Sequence, residues 1–238
     1  MVWQLTCIFM FVAGASMMLA SRIWISQQSD SDCAAQLSVW SPMLEAVEYE
    51  ERDWISNFGT KNPGYTGTPT DDMEAKWANL VEVPLVVIPP ERVPFLNRSV
   101  DQGFVLAKGR SQGTTGYIAG VEVFHHLHCL NVLRQYTWKD SYPDDMIPSL
   151  FKLNTPVVAR AHADHCIDTL RQALMCAADV TPYLVYKAEP APGSHVAARE
   201  DFQAYHKCRN FDHLLDWIKE NGVEAPWQKK RGPSVDEQ

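Results

Sequence analysis

Basic residues are few in this chain of 238 residues, which carries 21 lysines and arginines against 29 aspartates and glutamates. The resulting net charge of −8 argues against a nucleic-acid partner, since phosphate binding needs a clustered basic face. The sequence also lacks the patterns G-x-G-x-x-G and G-K-[ST], which argues against dinucleotide and P-loop nucleotide sites. The zinc-peptidase pattern H-E-x-x-H is absent as well, so any metal site is built in another way.

Charged side chains are missing altogether from Val2 to Ser21, a run of about the length that a bilayer-spanning helix requires. Arg22 ends this run. We therefore expect a transmembrane signal-anchor over residues 1–25, and the alternative is a cleaved signal peptide. The sequon Asn97–Arg98–Ser99 and the cysteine content favour the secretory lumen for the rest of the chain, with Asn97 glycosylated.

Proline outnumbers glycine, 15 to 12, which is typical of rigid turns and long irregular connections. We predict a stalk over residues 26–40, one folded domain over residues 41–222 and a flexible tail over residues 223–238. Start and stop signals predict helices over residues 41–54, from 71 onward, 121–138, 155–178 and 202–221. Prolines break the apolar runs of residues 81–119 into short strands or ordered loop. The predicted fold is mainly α: a single-span anchor, then one helical domain with long Pro- and Gly-rich connections.

Histidine and cysteine form an internal repeat. The pattern H-x-x-H-C-[LI]-[ND]-x-L-R-Q occurs over residues 125–135 and again over residues 162–172. Chance is a poor explanation, since the chain holds only eight histidines and six cysteines. Positions i, i+3 and i+4 of a helix lie on one face, so each copy presents two imidazoles and one thiol on one side. These stripes are His125, His128 and Cys129 in the first helix and His162, His165 and Cys166 in the second.

If the two helices face each other, four imidazoles and two sulfurs converge, which predicts a metal site between them. The predicted ligands are His125, His128, His162 and His165. Imidazole-rich sites suit copper, zinc, iron or nickel, and copper is preferred because it has the highest affinity for nitrogen ligands among these ions. Zinc or Cu(I) is favoured instead if Cys129 and Cys166 bind as thiolates. Alternatively these two cysteines form a disulfide, with a second one between Cys176 and Cys208.

Other charged residues near the stripes have two interpretations each. Glu122, Asp164 and Asp168 either orient an imidazole through its second nitrogen or are solvated helix charges. Arg134 and Arg171 either bind a substrate carboxylate or, as we prefer, form ion pairs with nearby acids. His126 lies off the stripe and is expected either to support a ligand or to lie on the surface. His195, His206 and His213 are expected to be structural, with His206 the best further ligand candidate because it is close to Cys208.

These motifs resemble the UstYa family of fungal secondary-metabolite proteins, which have an N-terminal membrane segment and two H-x-x-H-C motifs. The resemblance covers about residues 40–222 and continues through the segments 71–77, 117–125, 165–182, 206–211 and Trp217. It implies an oxidase that tailors a peptide natural product in mycotoxin biosynthesis, by macrocyclisation, hydroxylation or chlorination. The catalytic residues that it implies are His125, His128, Cys129, His162, His165 and Cys166.

Under this first hypothesis the cofactor is a metal ion, with copper preferred and zinc or iron as alternatives, and O2 is the oxidant. The expected partners are a peptide or peptide-like substrate, the membrane and a homologous partner oxidase, but no nucleic acid. The expected location is the secretory pathway, as a single-pass membrane protein with a luminal catalytic domain. The second hypothesis is a membrane-tethered accessory protein that binds a partner oxidase or the precursor peptide. A structural zinc protein is the third.

Overall fold

The computed structural model describes residues 2–26, 29–55, 64–110, 115–187 and 198–225. Within these ranges the chain is mainly helical, as the sequence predicted. The helices are α1 (Val2–Ser26), α2 (Asp30–Gln36), α3 (Asp71–Val81), α4 (Glu122–Thr137), α5 (Ser149–Lys152), α6 (Pro156–Ala177) and α7 (Phe211–Asn221). The strands are β1 (Tyr49–Asp53), β2 (Val86–Ile88), β3 (Leu106–Lys108), β4 (Thr115–Ala119), β5 (Val185–Lys187), β6 (Ala198–Glu200) and β7 (Tyr205–Arg209). Short 3₁₀ turns lie at Pro42–Ala46, Pro90–Leu96, Val100–Gln102 and Lys139–Ser141.

The N-terminal helix α1 is a continuous helix of 25 residues. Its stretch Val2–Arg22 is apolar and long enough to cross a membrane, and none of it is buried inside the protein. The large side chains of Trp3 and Phe11 are 83% and 80% exposed. The apolar N-terminal helix that the sequence predicted is therefore present.

The main hydrophobic core lies where the first 3₁₀ turn meets α7. Its buried side chains are Ala34, Met43, Ala46, Val47, Val86, Ile88, Val93, Phe124, Leu214, Leu215 and Ile218. In α7, Leu214 and Ile218 are four residues apart and therefore lie on one face, together with Leu215. Phe124 belongs to the first turn of α4, so this core fixes the start of the helix that carries the first motif.

Small antiparallel sheets occupy part of the connections. β1 pairs with β7, with Tyr49 opposite Arg209, β4 lies between β2 and β3, and β5 pairs with β6. The apolar runs of residues 81–119 are therefore short strands in part. Gly116 in β4 is needed for this pairing, because an added Cβ would overlap the carbonyl oxygen of Ile88 in β2.

Two predicted helices are wrong in their extent. The segment 41–54 forms only the 3₁₀ turn Pro42–Ala46, and β1 follows it. The segment 202–221 contains β7 before α7 begins at Phe211. Both errors have one cause, since β1 and β7 pair with each other and strand preference depends on a partner that a local pattern does not reveal.

The folded part extends into both segments that were predicted to flank it. Within the predicted stalk, residues 26–40, the helix α2 forms and its Ala34 is 0% exposed in the core. At the other end, Val223 forms an isolated antiparallel bridge with Leu85. Residues 226–238 of the predicted tail lie outside the described residues.

Helix α3 starts at Asp71 as predicted, and the side chain of Thr70 caps it by accepting a hydrogen bond from an amide of the first turn. Glu74, the expected capping partner, has another role. Its carboxylate accepts hydrogen bonds from Arg134 of α4 at 2.8 Å and from the phenol of Tyr142 at 2.9 Å. The Arg134 side chain is only 7% exposed, so this ion pair joins α3 to α4 in the interior.

Candidate metal centre

The two copies of the repeat lie on α4 and α6, which contact each other extensively. α6 begins at Pro156 with Thr155 as its cap, as the cap-and-proline pair predicted. α4 begins after Val121, whose side chain makes no capping hydrogen bond. Its start is positioned by Phe124 in the core instead. Local signals therefore set the start of α6, and tertiary packing sets the start of α4.

Two thiols lie at the centre of this helix pair. Cys129 and Cys166 are both 0% exposed and pack with the buried Val132. Ala159 and Ala163 are buried on the same face of α6 as Cys166, and such small side chains let two helices approach closely. Burial, and then a hydrogen bond with Cys129, raises the pKa of Cys166 to about 12. Cys166 is therefore a neutral thiol at pH 7 when no ion is bound.

The predicted imidazoles flank these thiols. One donor atom from each of His125, Cys129 and His165 lies within 4.8 Å of the other two. The ring centroids of His125 and His165 are 5.9 Å apart, and those of His128 and His162 are 5.7 Å apart. The rings of His162 and His165 are 6.4 Å apart. The four imidazoles thus form a row of neighbouring rings that crosses between α4 and α6.

This donor set fits a metal ion in size and in chemistry. Two donors that each lie about 2.1 Å from one ion are at most about 4.2 Å apart, so shifts on the order of 1 Å would bring the three close donors to one centre. Imidazole and thiolate are ligands that copper and zinc accept. Burial, and then the neighbouring His162 and His125, lower the pKa of His128. Its imidazole is therefore neutral at pH 7, which is the form that binds metals.

Glu122 is the acid that faces this row. Its carboxylate lies 3.2 Å from Nδ1 of His125 and 3.4 Å from Nε2 of His126. A carboxylate that accepts a hydrogen bond from one ring nitrogen fixes the ring and leaves the other nitrogen for a metal ion. The His125 side chain is 43% exposed, so the row can be reached from solvent at this end. Of the two interpretations of Glu122, the contacts favour the orienting one.

The other two acids form exposed ion pairs along α6. Asp164 lies 2.8 Å from Arg160, and Asp168 lies 2.7 Å from Arg171. Hydrogen bonds from Arg171 and Gln172 lower the pKa of Asp168. These contacts favour solvated helix charges for Asp164 and Asp168.

The arginines of the two motif copies have different surroundings. In both copies the arginine Nε donates to the side chain three residues earlier, Arg134 to Asn131 at 2.9 Å and Arg171 to Asp168 at 2.8 Å. The buried Arg134 forms an ion pair with Glu74 of α3, whereas the exposed Arg171 forms one with Asp168 of its own helix. Three positions before the arginine, the first copy therefore has Asn131, and the acid comes from Glu74 of α3. The second copy has Asp168 at that position, which is itself the acid. The preferred ion-pair interpretation is confirmed for both arginines.

Histidines outside the stripes make other contacts. The ring of His206 is buried and stacks on Trp54, with ring centroids 3.9 Å apart. His213 lies 3.4 Å from the carboxylate of Glu48. Both contacts are of the structural kind that we expected, and His195 lies outside the described residues.

All six cysteines are free thiols in the structure. Cys176 is exposed, and Cys208 is partly buried in β7. The disulfides Cys129–Cys166 and Cys176–Cys208 stay predictions. So does glycosylation of Asn97, which is exposed in a left-handed turn with φ of 53°.

Sequence reasoning missed one motif, the pattern G-x-S-x-G over residues 109–113. In α/β-hydrolases this pattern holds a nucleophilic serine at a sharp turn from a strand into a helix. Here the flanking segments are β3 and β4, which pair antiparallel with Lys108 opposite Thr115. A connection between two paired strands is a different context from that turn, and Ser111 itself lies outside the described residues.

Two contacting helices that each carry an H-x-x-H-C motif, behind an apolar N-terminal helix, define a helical protein with a shared His–Cys centre. This chain belongs to the UstYa family. The family described as "Mycotoxin biosynthesis protein UstYa" matches residues 2–221. The resemblance that the motifs indicated is therefore confirmed.

Similar proteins come from fungi. The UstYa family oxidase phomYc of Diaporthe leptostromiformis is 35% identical over 229 residues, which cover 94% of this chain and 86% of that protein. A second UstYa family oxidase of that organism, phomYc', is 34% identical over 210 residues, which cover 87% of this chain and 72% of that protein. The transacylase cctO of Talaromyces islandicus is 34% identical over 88% of this chain and 69% of its own. No solved structure matches the chain. The relatives named as oxidases assign an oxidoreductase role in fungal secondary metabolism to this protein.

Proposed function

We propose that this chain is a metal-dependent oxidase, with copper as its ion, that tailors a peptide-like product of fungal secondary metabolism. One observation carries the proposal: donor atoms of His125, Cys129 and His165, drawn from both motif copies, lie within 4.8 Å of one another. His128 and His162 supply a second facing pair of rings beside them. Sites of this kind, built from side chains on facing helices, are a common way for helical proteins to hold metals.

The choice of copper follows from the donors and from the oxidoreductase role. Zinc has no redox chemistry, so it would serve this role only as a structural ion. Copper has the highest affinity for imidazole nitrogen among the candidate ions, and imidazoles outnumber the thiols in the row. The bound ion would supply one-electron oxidation with dioxygen as the oxidant. The residues that would hold it are His125, His128, His162 and His165.

The protein groups around the ion have separate tasks. Glu122 accepts a hydrogen bond from Nδ1 of His125 and so presents Nε2 of that ring to the ion. Cys129 and Cys166 are shielded from water by complete burial, and they serve either as ligands or as a bridge that holds the two helices at a fixed separation. The open side of the row, at His125, is where substrate would approach. We therefore assign the catalytic role to these imidazoles and thiols together.

The substrate and the location belong to the same proposal. The description of the family as a mycotoxin biosynthesis protein supports a peptide-like toxin precursor as substrate, modified by macrocyclisation, hydroxylation or chlorination. The exposed apolar helix α1 supports anchoring by a single span. The exposed sequon asparagine, Asn97, supports a domain that faces the secretory lumen.

Metal analysis of the purified full-length chain tests this proposal. After anaerobic loading with copper, we expect about one ion per chain in the wild type. His165→Ala should lower copper affinity at least about tenfold, because it removes the donor by which α6 joins His125 and Cys129 of α4 at one centre. His213→Ala is the matched control, since that half-exposed imidazole contacts Glu48 away from the row and its loss should leave copper affinity unchanged.

The outcomes separate the three hypotheses. Copper affinity in His165→Ala equal to that of the wild type would refute the shared centre. Oxygen uptake by the copper-loaded chain alone would exclude the accessory protein, whereas uptake only after addition of a homologous chain would leave that hypothesis standing. Zinc retained under the same loading, with no oxygen uptake, would identify a structural zinc protein.

A further inference from the structure

An apolar cavity of about 310 Å³ lies beside the first motif. Its walls come from residues 38–47, which include the 3₁₀ turn Pro42–Ala46, from the start of α4, from the end of β7 and from the start of α7. The apolar side chains that matter for its shape are Leu44, Val47, Val123, Phe211 and Leu214. Two charged residues, Glu122 and Arg209, line it as well and are exposed. A cavity of this size is large enough for one or two apolar side chains.

Glu122 connects the cavity to the candidate metal centre. The residue lines the cavity, and its carboxylate lies 3.2 Å from the ring of His125. His125 lies three positions after Glu122 in the helix, a rise of about 4.5 Å. An extended peptide advances about 3.3–3.6 Å per residue. A side chain seated in the cavity would therefore place a residue one or two positions away beside His125.

The polar groups of the cavity match a peptide. Glu122 offers a hydrogen-bond acceptor, and the guanidinium of Arg209 offers donors while one of its nitrogens is held 2.9 Å from the hydroxyl of Ser38. A peptide backbone has both an N–H to donate and a carbonyl to accept. A hydrocarbon chain has neither, so a lipid tail would make no hydrogen bond with either charged group.

We propose that this cavity is the subsite that holds an apolar side chain of the peptide substrate, one or two residues from the residue that is oxidised. The proposal rests on the proposed function in one respect, the peptide nature of the substrate. It adds a specificity: the peptide must carry a leucine-sized or aromatic side chain next to its reacting residue.

Binding of model peptides to the full-length chain in lipid nanodiscs tests the subsite. The probes are two acetylated tetrapeptide amides that differ only by leucine against glycine at one position. Calorimetry should give an affinity at least about tenfold higher for the leucine peptide, the lower end of what burial of that side chain provides. Val39→Asp should abolish this preference, because Val39 lines the cavity and is 66% exposed, so the substitution leaves the core intact. Val105→Asp, at an exposed valine outside the cavity, should keep it.

Equal affinity for the leucine and glycine peptides would overturn the subsite. Binding of decanoate that Val39→Asp abolishes, with no leucine preference, would also overturn it and assign the cavity to lipid. Copper affinity measured on the same samples keeps the two proposals apart. Copper binding without leucine preference refutes the subsite alone, and leucine preference without copper binding refutes the metal centre alone.

Discussion

The buried ion pair between Arg134 and Glu74 holds the first motif helix against α3, and its removal gives a quantitative test. The Arg134 guanidinium donates to Glu74 at 2.8 Å and to Asn131 at 2.9 Å, and it lies over the ring of Trp77 at 5.5 Å. Its side chain is 7% exposed. Arg134→Ala would leave the carboxylate of Glu74 and the amide of Asn131 without this partner in the interior.

The repeat provides a matched control at Arg171. This arginine has the same position in the second motif copy and the same contact to the residue three positions earlier, but its side chain is 54% exposed. Breaking a buried ion pair by removing one partner costs about 3–5 kcal/mol, whereas an exposed pair contributes about 0–1 kcal/mol. For a domain of this size each kcal/mol lowers Tm by about 2–4 °C, so Arg134→Ala should lower it by roughly 6–20 °C. Arg171→Ala should lower it by at most about 4 °C.

Thermal unfolding of the full-length chain in detergent, followed by near-ultraviolet circular dichroism, measures this difference. The near-ultraviolet signal reports on the tertiary packing of aromatic rings such as Trp77 and not on helix content, so the helical signal of α1 does not enter it. A Tm of Arg134→Ala equal to or higher than that of Arg171→Ala would refute the argument, since it would show that the buried contact stabilises the fold no more than the exposed one.

Three further expectations follow from burial, pKa and steric contact. Iodoacetamide at pH 8 should modify the exposed Cys176 in the native chain and spare Cys166 until unfolding, and modification of both at similar rates, read by mass spectrometry, would contradict its burial. Burial and the hydrogen bond to the Glu74 carboxylate raise the pKa of Tyr142 from about 10 to about 12. The neutral phenol therefore stabilises the fold fully below pH 10, and this contribution is lost as the pH rises to 12. Tyr142→Phe should therefore make the Tm less dependent on pH between 10 and 12, and an unchanged pH dependence would refute this assignment. Gly116→Ala should destabilise the fold by about 1–3 kcal/mol because its Cβ meets a backbone carbonyl of β2, whereas Gly120→Ala, with open space around the Cβ, should cost less in urea unfolding.

Helices with strong local signals could be predicted from sequence. Thr155 and Pro156 mark the start of α6, and Thr70 and Asp71 mark the start of α3, because a capping side chain satisfies backbone amides within its own turn. The apolar run of α1 also needs no partner to be recognised. Pairing of β1 with β7 could not be predicted, since neither strand carries a signal for the other.

For the candidate site, the spacing of the motif predicted two imidazoles and one thiol on one face of each helix. Of these six donors, the structure brings three, those of His125, Cys129 and His165, within 4.8 Å of one another. The sequence did not predict the environment of each. The cavity beside Glu122 had no sequence signal, because its walls come from segments that are far apart in the sequence. The sequence left two interpretations of Glu122 open, and only its distance to His125 in the structure favours the one in which it orients that ring.

The sequence by itself determined the apolar N-terminal helix, the family and the faces of the helices that carry histidine and cysteine, because these depend on residue type and helical period alone. Only the tertiary structure decided which of the two motif arginines is buried. Arg134 and Arg171 have the same motif position, yet α3 covers the first with Glu74 while the second is exposed and pairs with Asp168. The physical reason is that burial and ion pairing depend on contacts between distant segments, so the same residue at the same motif position contributes a different energy when different elements pack against it.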